Sequence, residues 1–172
     1  MMAGDGLREV ERMKEVFWIN GEHFPQLAIV LRPQGDRWLD DEMHRMRANG
    51  IETVISMLEP AEAEWLGLGG EQRSARQAGM DFLSFPIPDT KVPSNVEAFR
   101  HFVRDVAGRL QKGEHIGVHC RGCIGRATVL SACVLIQLGW HPTAALAAVE
   151  KARGNPVPDT PEQAVWIMGF KP

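Results

Sequence analysis

Short apolar runs alternate with amphipathic helical patterns along most of the chain. The runs that predict β-strands are Val16 to Asn20, Leu27 to Leu31, Ile51 to Leu58, Asp81 to Phe85 and Ile116 to Val118. Most of the segments between them have helical spacing. Because this alternation is typical of parallel sheets covered by helices, we predict a three-layer α/β sandwich whose central, mostly parallel sheet has four or five strands.

The first helical patterns are interrupted by glycine. Leu39, Met43 and Met46 recur at helical spacing until Asn49-Gly50 ends the pattern. The stretch from Pro60 to Gly79 predicts one or two short helices, with breaks at the glycines 67, 69 and 70.

The later helices are longer. Ser94 and Glu97 have the spacing of a capping box, which predicts the start of a long helix that ends at Gly113. Its predicted buried face consists of Val96, Phe99, Val103, Val106 and Leu110. The helix after Arg126 is apolar on most sides, so we expect it in the middle of the domain, and two further helices are predicted at Pro142 to Arg153 and Pro161 to Phe170.

Composition indicates one globular domain. Of the 172 residues, 44% are hydrophobic and 24% are charged, and no linker or repeat divides the chain, so we predict a single domain over residues 1–172. The polar segment 1–13 is expected to be loosely ordered. A net charge of -3 argues against a nucleic-acid partner. The oligomeric state is not predicted.

The N-terminus is too charged for the apolar core of a secretory signal, and no run approaches the roughly 18 apolar residues of a membrane span. These features predict a cytoplasmic protein without a membrane partner. The three cysteines, Cys120, Cys123 and Cys133, cannot all pair, and a reducing compartment suits a free reactive thiol better than a disulfide framework.

Candidate chemistry is concentrated between Glu114 and Thr128, where a strand pattern passes through a short loop into a helix. A helix N-terminus presents unpaired N–H groups and the positive end of the helix dipole, which favours a phosphate-like anion. We expect Gly122 and Gly125 to let the loop curl around that anion, and Arg126 to grip two of its oxygens. The same positive field favours ionisation of Cys120, so the anion site would contain a nucleophile.

His119, Cys120 and Arg126 resemble the H-C-x5-R signature of cysteine-dependent protein tyrosine and dual-specificity phosphatases. The upstream sequence from Pro86 to Asp89 is similar to the general-acid loop of that family. The resemblance extends from about Leu27 to the C-terminus. It implies a hydrolase of phosphorylated proteins, acting on phosphotyrosine and also on phosphoserine or phosphothreonine as further candidates, through a cysteinyl-phosphate intermediate.

In this interpretation Cys120 is the nucleophile, Arg126 holds the phosphoryl oxygens and Asp89 is the general acid. The substrate-binding loop would consist of Arg121, Gly122, Cys123, Ile124 and Gly125. His119 is expected to support the loop, with direct proton transfer as the less favoured alternative. Neither a metal ion nor a cofactor is expected, since the loop and Arg126 supply the positive field.

Two assignments have structural alternatives. Asp159 stands in a second Pro-x-Pro-Asp-Thr sequence and rivals Asp89, although its position before a helix pattern also gives it a structural explanation. Gln163 resembles a glutamine that positions water in some family members, but a capping box explains it equally well. Arg121 is either a selector of acidic substrates or a solvated side chain.

The loop departs from the family pattern at two positions. Ala127 replaces the usual serine or threonine, whose hydroxyl hydrogen-bonds the thiolate, and Cys123 replaces the glycine of many relatives. The resulting Cys120-x-x-Cys123 pair leaves a dithiol redox protein as an alternative function. It also makes Cys123 a candidate redox partner that traps oxidised Cys120 in a disulfide. Ala127 leaves a second alternative, a phosphate-binding pseudophosphatase without turnover.

Overall fold

The computed structural model describes residues 15–21 and 23–172. The segment 1–13, predicted above to be loosely ordered, lies outside the described residues.

The predicted five apolar runs form one sheet. Its strands are β1 (Val16–Trp18), β2 (Leu27–Val30), β3 (Thr53–Ser56), β4 (Asp81–Ser84) and β5 (Ile116–His119). They lie in the order β1-β2-β5-β3-β4. Only the pairing of β1 with β2 is antiparallel, and the other neighbours are parallel. The predicted mostly parallel sheet is therefore confirmed, and β5 lies at its centre.

Helices cover both faces of the sheet. They are α1 (Leu39–Ala48), α2 (Pro60–Trp65), α3 (Glu71–Gln77), α4 (Val96–Gln111), α5 (Arg126–Gln137), α6 (Pro142–Arg153) and α7 (Pro161–Met168). One apolar core joins α4, α5, α6 and α7 to one face of the sheet, and a second core joins α1 and α3 to the other face. Alternate strand residues serve the two cores, as the pleat requires. This arrangement confirms the three-layer sandwich.

The start of α4 differs from the prediction. The side-chain oxygen of Asn95, not that of Ser94, accepts a hydrogen bond from the amide of Ala98, at 3.0 Å. Asparagine is among the best N-cap residues, so it takes this position one residue later than the predicted cap. In the first turn, Val96 is 41% exposed, and its assignment to the buried face is wrong. The other four predicted core residues of this helix are buried.

Helix α5, predicted to lie in the middle of the domain, is buried on all sides. Every residue from Arg126 to Ile136 is buried in this helix, which packs against α4, α6 and α7. A helix enclosed in this way cannot shift without disturbing the core, because interiors are close-packed. The loop between the central strand β5 and the first turn of α5 is therefore held at both ends.

Candidate active site

Cys120 lies directly after β5, with its sulfur inside the loop that leads to α5. The residue is 2% exposed. The amide of Cys123 donates a hydrogen bond to the Cys120 sulfur at 3.2 Å, and the amide of Ala127 donates to it as well. Two backbone donors aimed at one sulfur favour its ionised form.

The pKa of Cys120 is lowered to about 6. The largest cause is the hydrogen bond from the Cys123 side chain. Burial of the thiol opposes the shift, while the amide of Ala127, the charge of Arg126 and the amide of Cys123 all lower the pKa. A thiol with this pKa is about 90% thiolate at pH 7. The sulfur is therefore prepared to act as a nucleophile.

Four amides of the same loop have no carbonyl partner. Within residues 15–21 and 23–172, no backbone carbonyl accepts a hydrogen bond from the loop amides of Arg121, Gly122, Ile124 and Gly125. Unpaired amides beside a helix N-terminus are suited to bind an anion. The loop that follows Cys120 thus has amide donors without a carbonyl partner among the described residues.

The glycines do not curl this loop in the predicted way. Neither Gly122 nor Gly125 has a positive φ, and the left-handed residue is Cys123, with φ 56°. Gly125 is instead required for space: a Cβ there would lie 2.9 Å from the Gln163 amide oxygen and 3.0 Å from Cβ of Asp159. The sequence did not reveal this role of Gly125, because the close approach comes from α7 and its preceding loop, far away along the chain.

Arg126 is almost fully buried and is held by Glu62. Its two terminal nitrogens donate to the two Glu62 oxygens at 2.7 and 2.8 Å, and one of them also donates to the carbonyl of Ile87 at 2.9 Å. The hydrogen bond to Arg126 is the largest cause that lowers the pKa of Glu62. Such a bidentate pair fixes the plane of the guanidinium. Sequence reasoning missed Glu62, whose only signal was an acid in the first turn of a helix that follows a strand.

Asp89, the predicted general acid, lies beside Arg126. Its Oδ1 is 3.2 Å from Nη2 of Arg126 and accepts a hydrogen bond from the amide of Thr90. Its Oδ2 is 4.0 Å from Arg121. The carboxylate is half exposed, so it can reach an oxygen atom outside the loop.

Asp159 and Gln163 also border the loop. The side chain of Thr160, not that of Asp159, caps α7, and Gln163 completes the predicted capping box. Gln163 is buried, packs against Gly125 and donates to the carbonyl of Lys91 at 3.1 Å. It therefore connects the cap of α7 with Lys91 and with the loop that follows Cys120. The water-positioning role remains a prediction.

His119 supports the loop from within the core. Its Nδ1 donates to the carbonyl of Cys120 at 3.3 Å, and its Nε2 lies 2.6 Å from Oε1 of Glu71. A carbonyl and a carboxylate are both acceptors, so the imidazole satisfies both only when it carries two protons. Burial lowers the pKa of His119, but the charge and hydrogen bond of Glu71 outweigh it, so the pKa is raised. Sequence reasoning missed Glu71, which reaches His119 across a separation of 48 residues.

Arg153 on α6 is a further positioning residue that the sequence did not indicate. Its Nε donates to the carbonyl of Cys123 at 3.0 Å, and its guanidinium lies 4.3 Å from the ring centre of Phe17. The contact anchors the left-handed residue of the loop. Ile124, by contrast, packs its side chain against the core.

The exposed rim of the candidate site consists of Arg121 and Trp65. Arg121 is half exposed, and its guanidinium lies 4.9 Å from the centre of the Trp65 ring. Trp65 is 70% exposed and lies on α2, three residues after Glu62. Residues three apart share a helix face, so the short α2 presents both Glu62 and Trp65 to this site.

Within the part of the chain that the structure describes, no group of three or more His, Cys, Asp or Glu side chains is suited to hold a metal ion. None of the described helices is long and apolar enough to cross a membrane.

Comparison with known proteins gives a consistent picture. The family model described as "Polymorphic toxin system, DSP-PTPase phosphatase" (Tc-R-P) matches residues 30–140, which include the loop. A protein of Invertebrate iridescent virus 6, named as a candidate tyrosine phosphatase (197R), is 31% identical over 90 residues. A Mus musculus protein, tyrosine phosphatase domain-containing protein 1, is 34% identical over 95 residues. The matches cover 47% and 51% of this chain, but only 34% and 12% of those two proteins.

The fold is also that of solved phosphatases. A crystal structure of kinase associated phosphatase, in which serine replaces the catalytic-site cysteine, superposes with a TM-score of 0.75. The superposition covers 82% of this chain and 83% of the other, at 18% identity. This similarity shows that the two chains share a fold.

We predict that Glu62→Gln weakens the site without unfolding the protein. The amide keeps the shape of the carboxylate but loses its charge and one acceptor, so Arg126 is no longer held by two matched hydrogen bonds. Because small misplacements of a binding group are costly, kcat/KM for an aryl phosphate should fall by about 10–100-fold. Glu64→Gln, on an exposed residue of the same helix, is the control and should remain near wild type. Equal kcat/KM values in the two variants would contradict the proposed role of Glu62.

Proposed function

Because this chain belongs to the DSP-PTPase phosphatase family of polymorphic toxin systems, we propose that it hydrolyses phosphate monoesters on proteins through a cysteinyl-phosphate intermediate. One observation carries the proposal. The Cys120 sulfur, whose pKa is lowered, the Arg126 guanidinium held by Glu62, and four amides without a carbonyl partner among the described residues all belong to one loop and the helix start that follows it. A nucleophile and an anion site in one loop suit the attack of sulfur on phosphorus.

In the first displacement, the Cys120 thiolate attacks phosphorus and a sulfur–phosphorus bond forms. The bond to the ester oxygen breaks, and Asp89 gives its proton to that oxygen. Arg126 and the loop amides bind the three equatorial oxygens, whose charge changes in the transition state. These donors supply the positive field that a metal ion supplies in other phosphoryl-transfer enzymes.

In the second displacement, water attacks the phosphorus and transfers a proton to the Asp89 carboxylate. The sulfur–phosphorus bond breaks, inorganic phosphate leaves and the thiolate is regenerated. Gln163 is in a suitable place to orient this water, because it packs against the loop at Gly125 and still has one amide hydrogen without a partner among the described residues.

The assignments of nucleophile and acid predict distinct defects. Cys120→Ser should abolish turnover. Asp89→Asn should lower kcat by about 10²–10⁴-fold, the usual contribution of a general acid. The loss in the Asp89 variant should be larger for phenyl phosphate than for p-nitrophenyl phosphate, because a good leaving group needs less protonation. Asp159→Asn is the matched control and should retain most of the activity.

Steady-state assays of the four proteins separate the alternatives. Turnover by Cys120→Ser would refute the nucleophile, and an unchanged rate in Asp89→Asn together with a loss in Asp159→Asn would transfer the acid role to Asp159. A pseudophosphatase would release at most one leaving group per enzyme molecule and then stop.

An aromatic side chain at the rim supports a phosphotyrosine substrate. Trp65 is largely exposed and lies against Arg121, which directly follows the nucleophile. An indole at this position offers a face or edge to the ring of phosphotyrosine, whereas the shorter side chains of phosphoserine and phosphothreonine would leave it unused. Arg121 can in addition contact an acidic residue of the substrate.

We therefore predict that Trp65→Ala lowers kcat/KM for a phosphotyrosine peptide by about 2–10-fold, the value of one aromatic pair. A phosphothreonine peptide of the same sequence should be unaffected. Trp38→Ala is a close control, since Trp38 is also exposed and also lies against an arginine, Arg37. An equal loss for both peptides would mean that Trp65 merely holds α2 in place.

The cysteine pair supports a second proposal, reversible oxidation. The sulfur of Cys123 lies 3.6 Å from the carbonyl of Cys120, and its amide contacts the Cys120 sulfur. A separate dithiol oxidoreductase function would leave Arg126 and Asp89 without a role, so we propose that oxidation regulates the phosphatase. Peroxide would convert Cys120 to a sulfenic acid, which Cys123 would then attack, releasing water and forming a disulfide.

Hydrogen peroxide should thus inactivate the enzyme, and dithiothreitol should restore it. Mass spectrometry should identify a Cys120–Cys123 disulfide. Cys133→Ser should respond to peroxide and dithiothreitol like the wild type, because this buried cysteine of α5 is not part of the loop. Cys123→Ser, in contrast, should be inactivated irreversibly by peroxide. Irreversible loss in the wild type, without an intramolecular disulfide, would exclude the mechanism.

A further inference from the structure

The phosphate-binding loop lacks the hydroxyl donor that related phosphatases place next to the signature arginine. Ala127 gives the Cys120 sulfur an amide hydrogen bond but has no side-chain donor. The next hydroxyl belongs to Thr128, whose Oγ1 is buried and has no hydrogen-bond partner within residues 15–21 and 23–172. Helix α5 therefore supplies no hydroxyl to the thiolate.

The other unusual residue of the loop, Cys123, faces the same sulfur. Its left-handed backbone, with φ 56°, turns its amide to the Cys120 sulfur at 3.2 Å. Non-glycine residues rarely adopt this conformation, so the loop retains a side chain where glycine would be less strained. Nε of Arg153 donates a hydrogen bond to the Cys123 carbonyl at 3.0 Å. The Cys123 side chain is thereby fixed next to the nucleophile.

The Cys123 thiol has a proton to donate and two acceptors within reach. Its sulfur lies 3.6 Å from the carbonyl oxygen of Cys120, and the second acceptor is the Cys120 sulfur, which already accepts a hydrogen bond from the Cys123 amide at 3.2 Å. Because hydrogen bonds to charged acceptors are the stronger ones, the thiolate should attract the thiol proton.

We propose that the Cys123 thiol replaces the missing hydroxyl, donating a hydrogen bond to the Cys120 sulfur when that sulfur is negatively charged. This inference rests on the proposed phosphatase function and makes Cys123 a positioning residue. The donor would act twice: it would keep the resting nucleophile ionised, and it would stabilise the charge that returns to sulfur as the phosphoenzyme is hydrolysed. The two departures from the family pattern would then compensate for each other.

The pKa values of the two cysteines support this division of roles. The pKa of Cys120 is lowered to about 6, with the hydrogen bond to Cys123 as the largest cause. The pKa of Cys123 is raised well above its ordinary value, first by the same hydrogen bond and then by burial. Near neutral pH, one proton therefore resides on Cys123 and the charge on Cys120. Among the described residues, the charges of Arg126 and His119 interact with that of Cys120. Glu62 and Asp89 contact Arg126, Glu71 contacts His119, and Arg121 directly follows Cys120 in the chain.

The experiment compares four variants with the wild type. Cys123→Ala and Cys123→Gly remove the donor, the glycine variant also relieving the backbone. Cys123→Ser keeps a donor but cannot form a disulfide, and Cys123→Ala combined with Ala127→Ser returns a hydroxyl at the position used by related phosphatases. Arg126 and His119 are unchanged in all of them. Two readouts are followed: the pH dependence of Cys120 alkylation by iodoacetamide, located by mass spectrometry, and steady-state kinetics with an aryl phosphate.

We expect the midpoint of the pH dependence of Cys120 alkylation to move to higher pH in the alanine and glycine variants. Their kcat should fall by about tenfold, because one hydrogen bond to a charged group is lost. Their KM should change little, since the amides and Arg126 still bind the phosphate. The serine variant and the double variant should recover most of both losses. A merely structural role of Cys123 would not predict recovery by a hydroxyl at position 127.

The proposal is overturned if the alanine and glycine variants keep the wild-type midpoint and kcat, or if serine fails to recover what alanine loses. Should the alanine variant not fold, the glycine variant provides the same comparison. Alkylation does not depend on turnover. If the midpoint shifts in the alanine and glycine variants but the wild type hydrolyses no phosphate ester, the proposed function is refuted and the interaction between the two cysteines is retained.

Discussion

A buried guanidinium organises this site. Arg126 is 1% exposed at the start of a helix that the core encloses, where an unpaired positive charge would be very unfavourable. Glu62 neutralises it with two hydrogen bonds, and the same two terminal nitrogens also contact the carbonyl of Ile87 and the carboxylate of Asp89. The requirement to pair this one charge therefore brings α2 and the acid loop to the loop that carries Cys120.

The same junction contains a second buried ionic contact, between His119 and Glu71. It lies on the strand side of Cys120, whereas Arg126 lies on the helix side. Both cations favour the thiolate, and both are fixed by carboxylates from the segment between β3 and β4. This segment, which contains α2 and α3, thus contributes no proposed reacting group but holds the two side chains that flank the nucleophile.

The sequence allowed prediction of features that depend on local patterns. The strand-helix alternation, the enclosed helix α5, the capping box of Thr160 and Gln163 and the loop around Cys120 all follow from spacing over a few residues. The partners Glu62, Glu71 and Arg153 could not be predicted, because each contact joins residues 30 or more positions apart. Nothing in a local pattern distinguishes such an acid or arginine from a solvated one.

Errors arose where the sequence allowed a second explanation for a residue. Ser94 and Asn95 are both good N-caps, and only the path of the chain into α4 decides between them. Gly122 and Gly125 were expected to provide conformational freedom, yet Cys123 adopts the left-handed conformation and Gly125 provides room for Gln163. In the loop, backbone geometry therefore follows the contacts of the nucleophile more closely than it follows residue preference.

Whether this fold keeps the Cys120 sulfur ionised can be tested without a substrate. The thiolate absorbance and the alkylation rate of Cys120 should be followed as pH is raised, with Cys120→Ser as the blank. Ionisation is expected with a midpoint near the pKa of about 6, so that the residue is mostly thiolate at neutral pH. A midpoint near that of an ordinary cysteine, about 8.5, would contradict it.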